Sequence, residues 1–132
     1  MPNEPRWLEP AEVAQLNAYI VEETGEPHLV LNPGLLESAC HRPRNRHAYE
    51  GVTDVVALAS ELLFGIAQNH PFQQGNKRTG FEAAILFLEA NGYDLVIDDR
   101  EDLAQRIVDV ITGARPLSAF EEHIRPYILP IG

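Results

Sequence analysis

Residues 53–69 carry Val55, Val56, Leu58, Ala59, Leu62, Leu63, Ile66 and Ala67, so a helix over this stretch is apolar on nearly every side. Such a helix has no face to give to water and belongs at the centre of whatever packs around it. It is too short to cross a membrane, and it carries Glu61. The rest of the chain therefore has to supply helices that cover it.

Helical periodicity recurs on both sides. A helix is expected over residues 10–24, with Pro10 at the first position and Val13, Leu16, Ile20 and Val21 on one face. Leu35, Leu36 and Ala39 predict a brief second helix, which Arg42-Pro43-Arg44 should break, opening an irregular basic stretch to about Tyr49. The central helix should stop at His70, because Pro71 disfavours the α conformation before it. A fourth helix follows over 76–90 and ends at Asn91-Gly92. Residues 93–97 read as briefly extended, and two helices close the chain near 100–112 and 117–128. No linker or repeat divides the sequence, so the expectation is one all-α domain over 1–132, a bundle of about six helices.

Charge limits the partners. The 132 residues hold 20 acids against 10 Lys plus Arg, a net charge of −10, which argues against a duplex-binding surface. One cysteine, Cys40, excludes an internal disulfide and a cysteine-based zinc site. The opening Met-Pro-Asn-Glu-Pro shows no basic or apolar leader, so a cytoplasmic protein without a membrane partner is expected. The sole lysine is Lys77; the other cations are all arginine.

Lys77 falls in the segment with chemistry, His70-Pro71-Phe72-Gln73-Gln74-Gly75-Asn76-Lys77-Arg78-Thr79-Gly80. His70 sits at the end of one helix as a candidate base. Residues 75–78 open the next, where unpaired N–H groups and the dipole attract an anion. Gly75 permits close approach of a ligand, and Asn76 reads as a helix cap. Lys77 and Arg78 oppose the dipole of the helix they start, which disfavours them by about 0.3–1 kcal/mol each unless an anion is present. A base facing an anion cradle suits attack of a hydroxyl on a nucleotide phosphate; simple helix-end and solvated-charge roles are the alternative.

HPFQQGNKRTG resembles the Fic/Doc signature, HPFx(D/E)GN followed by a basic turn, and is closer to the Doc than the Fic branch. Fic enzymes typically continue GNGRxxR; here Lys77 stands at the second glycine and Phe81 at the second arginine. Asn32-Pro33-Gly34-Leu35-Leu36-Glu37-Ser38-Ala39, Ala48-Tyr49-Glu50 with Thr53-Asp54, and Ala84-Ile85-Leu86-Phe87-Leu88 with Asn91-Gly92 extend the similarity over most of the chain. The resemblance implies a Fic/Doc-like fold and a death-on-curing toxin that moves the γ-phosphate of ATP to a threonine of elongation factor Tu, stops translation, and is restrained by a cognate antitoxin. It implies His70 as general base, Gly75, Asn76, Lys77 and Arg78 as phosphate holders, and Phe72 as the anchor of the loop. Lys77 in place of glycine, with Phe81 in place of arginine, is expected to set the γ-phosphorus rather than the α-phosphorus before the histidine.

Gln74 departs from the pattern. The family's acid there binds Mg²⁺, and an amide oxygen ligates a hard cation without supplying charge. Gln74 is thus a weak metal position, with Glu50 and Asp54 the acids weighed as substitutes. A Fic-type AMP transferase and a catalytically silent binding module stay open beside the kinase reading. Arg42, Arg44 and Arg46 form a candidate docking patch for target or antitoxin.

Overall fold

Every residue from Val56 to Ala67 of α3 (Val55–Asn69) is buried, as its all-round apolar sequence requires. The chain, a computed structural model that describes residues 4–132, arranges the other elements about this helix. Residues 1–3, part of the stretch read for a leader, lie outside the described residues. In chain order the helices are α1 (Pro10–Thr24), α2 (Pro33–Glu50), α3, α4 (Asn76–Ala90), α5 (Arg100–Ile111) and α6 (Leu117–Ile124). A 3-10 turn, Arg125–Tyr127, follows α6. The short strands β1 (Tyr93–Leu95) and β2 (Ile128–Pro130) pair antiparallel, with Asp94 opposite Leu129. The architecture is all-α, as expected, and no described helix is long and apolar enough to cross a membrane.

Small residues let α3 be approached closely on two sides. A Cβ built on Gly80 of α4 would stand 2.7 Å from the Leu63 carbonyl oxygen, so the α3–α4 crossing tolerates nothing larger than glycine there. A Cβ on Gly65 would meet Arg42 Cδ at 3.2 Å and Ala39 at 3.4 Å, which marks the crossing with α2. Phe64, Phe72, Phe87, Leu58, Leu62 and Leu63 fill the space between the helices. Cys40 lies in the same core, and burial pushes its thiol up to about 12.

Two boundaries differ from the sequence expectation. The segment read as irregular is helical: α2 runs unbroken through Pro43 to Glu50. A proline inside a helix costs about 3 kcal/mol, through a lost hydrogen bond and a ring clash. Tertiary contacts oppose that cost. Pro43 is buried, and its neighbours Arg42 and Arg46 both bind Glu61 of α3, at 2.6 Å and 2.9 Å. Glu61 is the only acid in the centre of α3, and this pairing is what admits it to the core. The second difference is α6, which stops at Ile124 because Pro126 has no N–H to continue the ladder.

Gly80→Ala is expected to lower the stability measured by urea unfolding by about 1–3 kcal/mol, the cost of overpacking a tight crossing, despite alanine's better helix propensity. Unchanged stability would show that the two helices separate at no cost.

Candidate functional site

The turn between α3 and α4 is built by side chains that bond to main chain. Phe72, fully buried, has both of its backbone polar groups taken by Asn76: its N–H donates to Oδ1 at 3.0 Å, and its carbonyl accepts from Nδ2 at 2.9 Å. Asn76 is therefore not the helix cap expected from sequence. The cap position belongs to Gly75, left-handed at φ 75°, and Asn76 is the first helical residue. A side chain at Gly75 would meet Val21 Cγ1 at 3.2 Å besides requiring that backbone geometry.

A second clamp comes from α1. Asn17 is fully buried and spends its whole carboxamide on this region: Nδ2 donates to the Gln74 carbonyl (2.9 Å) and to Thr79 Oγ1 (3.0 Å), and Oδ1 contacts His28 Nδ1 at 2.8 Å. The extended residues 29–32 flank the turn on its other side. Gln73 N–H donates to the Leu29 carbonyl at 3.0 Å, and Leu31 N–H donates to the Pro71 carbonyl at 2.8 Å.

The turn that these clamps hold opens onto a cavity. Asn32, Asp54 and Asp99 cap α2, α3 and α5 through their side chains, whereas α4 begins with no side-chain cap. Its first turn borders this cavity of about 760 Å³, lined by residues 73–78, by His70, and by Ile20, Phe81, Arg100 and Ile107, and the N–H groups of a helix's first turn lack intrahelical partners. His70 is exposed on the cavity wall at the end of α3, and among the described residues it is the one non-glycine with positive φ, at 50°. Such strain is characteristic of functional positions.

The expected site residues divide accordingly. His70, Gln74, Gly75, Asn76, Lys77 and Arg78 all line this cavity. Phe72 lies beneath it as a buried anchor. The carboxamide of Asn76 is committed to Phe72, which leaves its backbone N–H as its remaining donor. Among the described residues Lys77 has no carboxylate within ion-pair reach, while Arg78 donates to Glu23 of α1 at 3.0 Å. Arg42 and Arg46 are held by Glu61, and Arg44 by Glu9 at 2.7 Å, so these three form no open basic patch beside the cavity.

Neither acid weighed as a substitute for Gln74 lies on the cavity. Glu50 pairs with Arg46 at 3.6 Å, and Asp54 caps α3 while a hydrogen bond from Arg125 holds its carboxyl below the usual range. Neither lines the cavity; Glu26 and Glu82 do. Among the described residues there is no cluster of three groups fit to hold a metal ion, so this donor set does not form a protein cage for Mg²⁺.

Asn17, Glu23 and Arg100 were not read from the sequence as site residues. Asn17 left a trace, a polar residue on the apolar stripe of Val13, Ile20 and Val21. Arg100 reaches the cavity, and Glu23 reaches Arg78, through tertiary placement, and neither left one.

A family model described as Fic/DOC family matches residues 7–88. The chain is 31% identical over 120 residues to the protein kinase doc of Escherichia phage P1, covering 91% of this chain and 94% of that protein. It is 37% identical over 82 residues to the toxin Doc of Mycolicibacterium smegmatis, covering 59% of this chain and 61% of that protein.

The Glu23–Arg78 pair is about half exposed on both sides and so contributes little to stability. Glu23→Gln should release Arg78 and tighten pyrophosphate binding by roughly two- to fivefold in calorimetry, with the unfolding midpoint nearly unchanged. Weaker binding would show that Glu23 orients Arg78 rather than competing for it.

Proposed function

The chain belongs to the Fic/Doc family, on its Doc branch, and from that premise we propose that it is the toxin of a toxin–antitoxin pair that phosphorylates a translation protein from ATP. The acceptor is a threonine hydroxyl of elongation factor Tu or a protein like it, and the setting is the cytoplasm. The observation that carries this reading is one cavity joining an exposed histidine to the uncapped first turn of α4 with its two cations.

The chemistry follows from that juxtaposition. The triphosphate lies against the N–H groups of residues 75–78, with Lys77 and Arg78 balancing its charge. Ile20, Phe81 and Ile107 give the nucleoside an apolar wall. The acceptor hydroxyl attacks the γ-phosphorus, the bond from that phosphorus to the β,γ-bridging oxygen breaks, and ADP leaves. His70 takes the hydroxyl proton. Lys77 adds charge at the first turn while Phe81 adds none further along the helix, which supports holding the γ-phosphate before His70. No step is routed through Mg²⁺, because Gln74 supplies no charge at the position where the family carries an acid. The name of the phage relative, a protein kinase, supports phosphate over AMP transfer, and the toxin name of the mycobacterial relative supports an antitoxin partner.

Incubation of the protein with ATP and elongation factor Tu should add about 80 Da to the acceptor, and His70→Ala should slow that addition by about 10²–10⁴-fold. An increment of about 329 Da would replace phosphate transfer by AMP transfer. No increment with any nucleotide, together with no saturable ATP binding, would make the chain a silent binding module.

A further inference from the structure

Past its first turn α4 presents no cation to the cavity; the next positions on the wall are Phe81 and Glu82. A cation arrives there from a different helix. Arg100 is the first residue of α5 and heads the stripe Leu103, Ala104, Ile107 and Val108, the i, i+3, i+4, i+7, i+8 face that forms the wall opposite α4. Its guanidinium carbon lies 5.3 Å from the centroid of the Phe81 ring. A guanidinium resting on a ring face keeps its N–H edge free for an anion.

Arg100 is also poorly satisfied where it stands. Arg42, Arg44, Arg46, Arg78, Arg106 and Arg125 each have a carboxylate within 3.0 Å. The carboxylate facing Arg100 is Glu82, 4.0 Å away, and among the described residues its side chain donates no hydrogen bond. A cation at the first position of a helix opposes the dipole, as Lys77 and Arg78 do on α4. The acids beside it do not fill the cavity: Asp99 caps α5 through the Asp102 N–H, Asp102 is bound by Arg106 at 2.8 Å, and none of Asp98, Asp99, Glu101 and Asp102 lines the wall.

We propose that Arg100 is a third cationic contact to the phosphate chain of ATP, reaching it from α5 while Lys77 and Arg78 hold it from α4. The inference rests on the ATP-dependent reading above and adds to it a residue from outside the signature segment. Two cations on one side of a triphosphate fix its charge but leave its far side open to slide. A fork from the opposite wall, braced on Phe81, restrains the chain from both sides and favours one register of the phosphates.

Affinities of ATP, ADP and adenosine for the full-length parent, Arg100→Gln and Arg100→Lys test the inference. Arg100→Gln should weaken ATP by roughly 5- to 20-fold and leave adenosine within about twofold, and Arg100→Lys should recover part of the loss, since lysine keeps the charge but not the fork. Arg100 is more than half exposed, at 56%, so both variants should keep the parent's unfolding midpoint. Parent-like ATP affinity in Arg100→Gln would overturn the inference and leave the proposed function standing. Equal weakening of ATP and adenosine would also overturn it, by assigning Arg100 to the shape of the wall. A parent that binds no ATP would overturn both.

Discussion

The carboxamide of Asn76 closed on both backbone groups of Phe72 is the contact from which the site is built. Phe72, buried this deeply, has main-chain polar groups without water, and one side chain answers for both. With Phe72 fixed in the core, Gly75 must turn left-handed, and α4 must start directly beneath the end of α3. Asn17 braces the same turn from α1, and Gly80 lets α4 lie against the Leu63 carbonyl. The result of these contacts is a helix N-terminus without a side-chain cap on the same cavity as a strained histidine.

Charge is distributed to the same end. A net charge of −10 argues against a broad basic surface, and most of the arginines are paired with carboxylates in place. Arg42 and Arg46 draw Glu61 into the core and hold α2 to α3 through Pro43, a stabilising role. The cations that face the cavity are held loosely or not at all: Lys77 has no partner among the described residues, Arg78 has an exposed one, and Arg100 has a distant one. On an acidic protein, a cavity lined by an unpaired lysine, a distantly paired arginine and Arg78 is a compact cationic locus, a better match in size to a small polyanion than to nucleic acid.

Local rules explain which parts of this were legible in the sequence. α1, α4 and the burial of α3 followed from periodicity, Pro10, Pro71 and Asn91-Gly92, all of which act within a turn of the helix they govern. The grouping of His70 with residues 74–78 on one cavity was legible because those residues are adjacent in sequence. α2 was misread because Pro43 is a strong local breaker, and its compensation, the Glu61 pairs, lies about twenty residues away. Asn76 looked like a cap because its competing partners on Phe72 emerge only once the turn is folded. Arg44 and its neighbours looked like a free patch for the same reason. Arg100 could not be found from spacing, since only the packing of α5 brings it to Phe81.

In the proposed function, the first turn of α4 receives the phosphates opposite His70. Backbone amide resonances followed during titration with ATP test it most directly. Saturable shifts are expected to concentrate on residues 75–78 and spread to His70, with inorganic pyrophosphate reproducing those at 75–78. Saturable shifts centred elsewhere, or amides at 75–78 that stay unmoved while ATP binds, would contradict it.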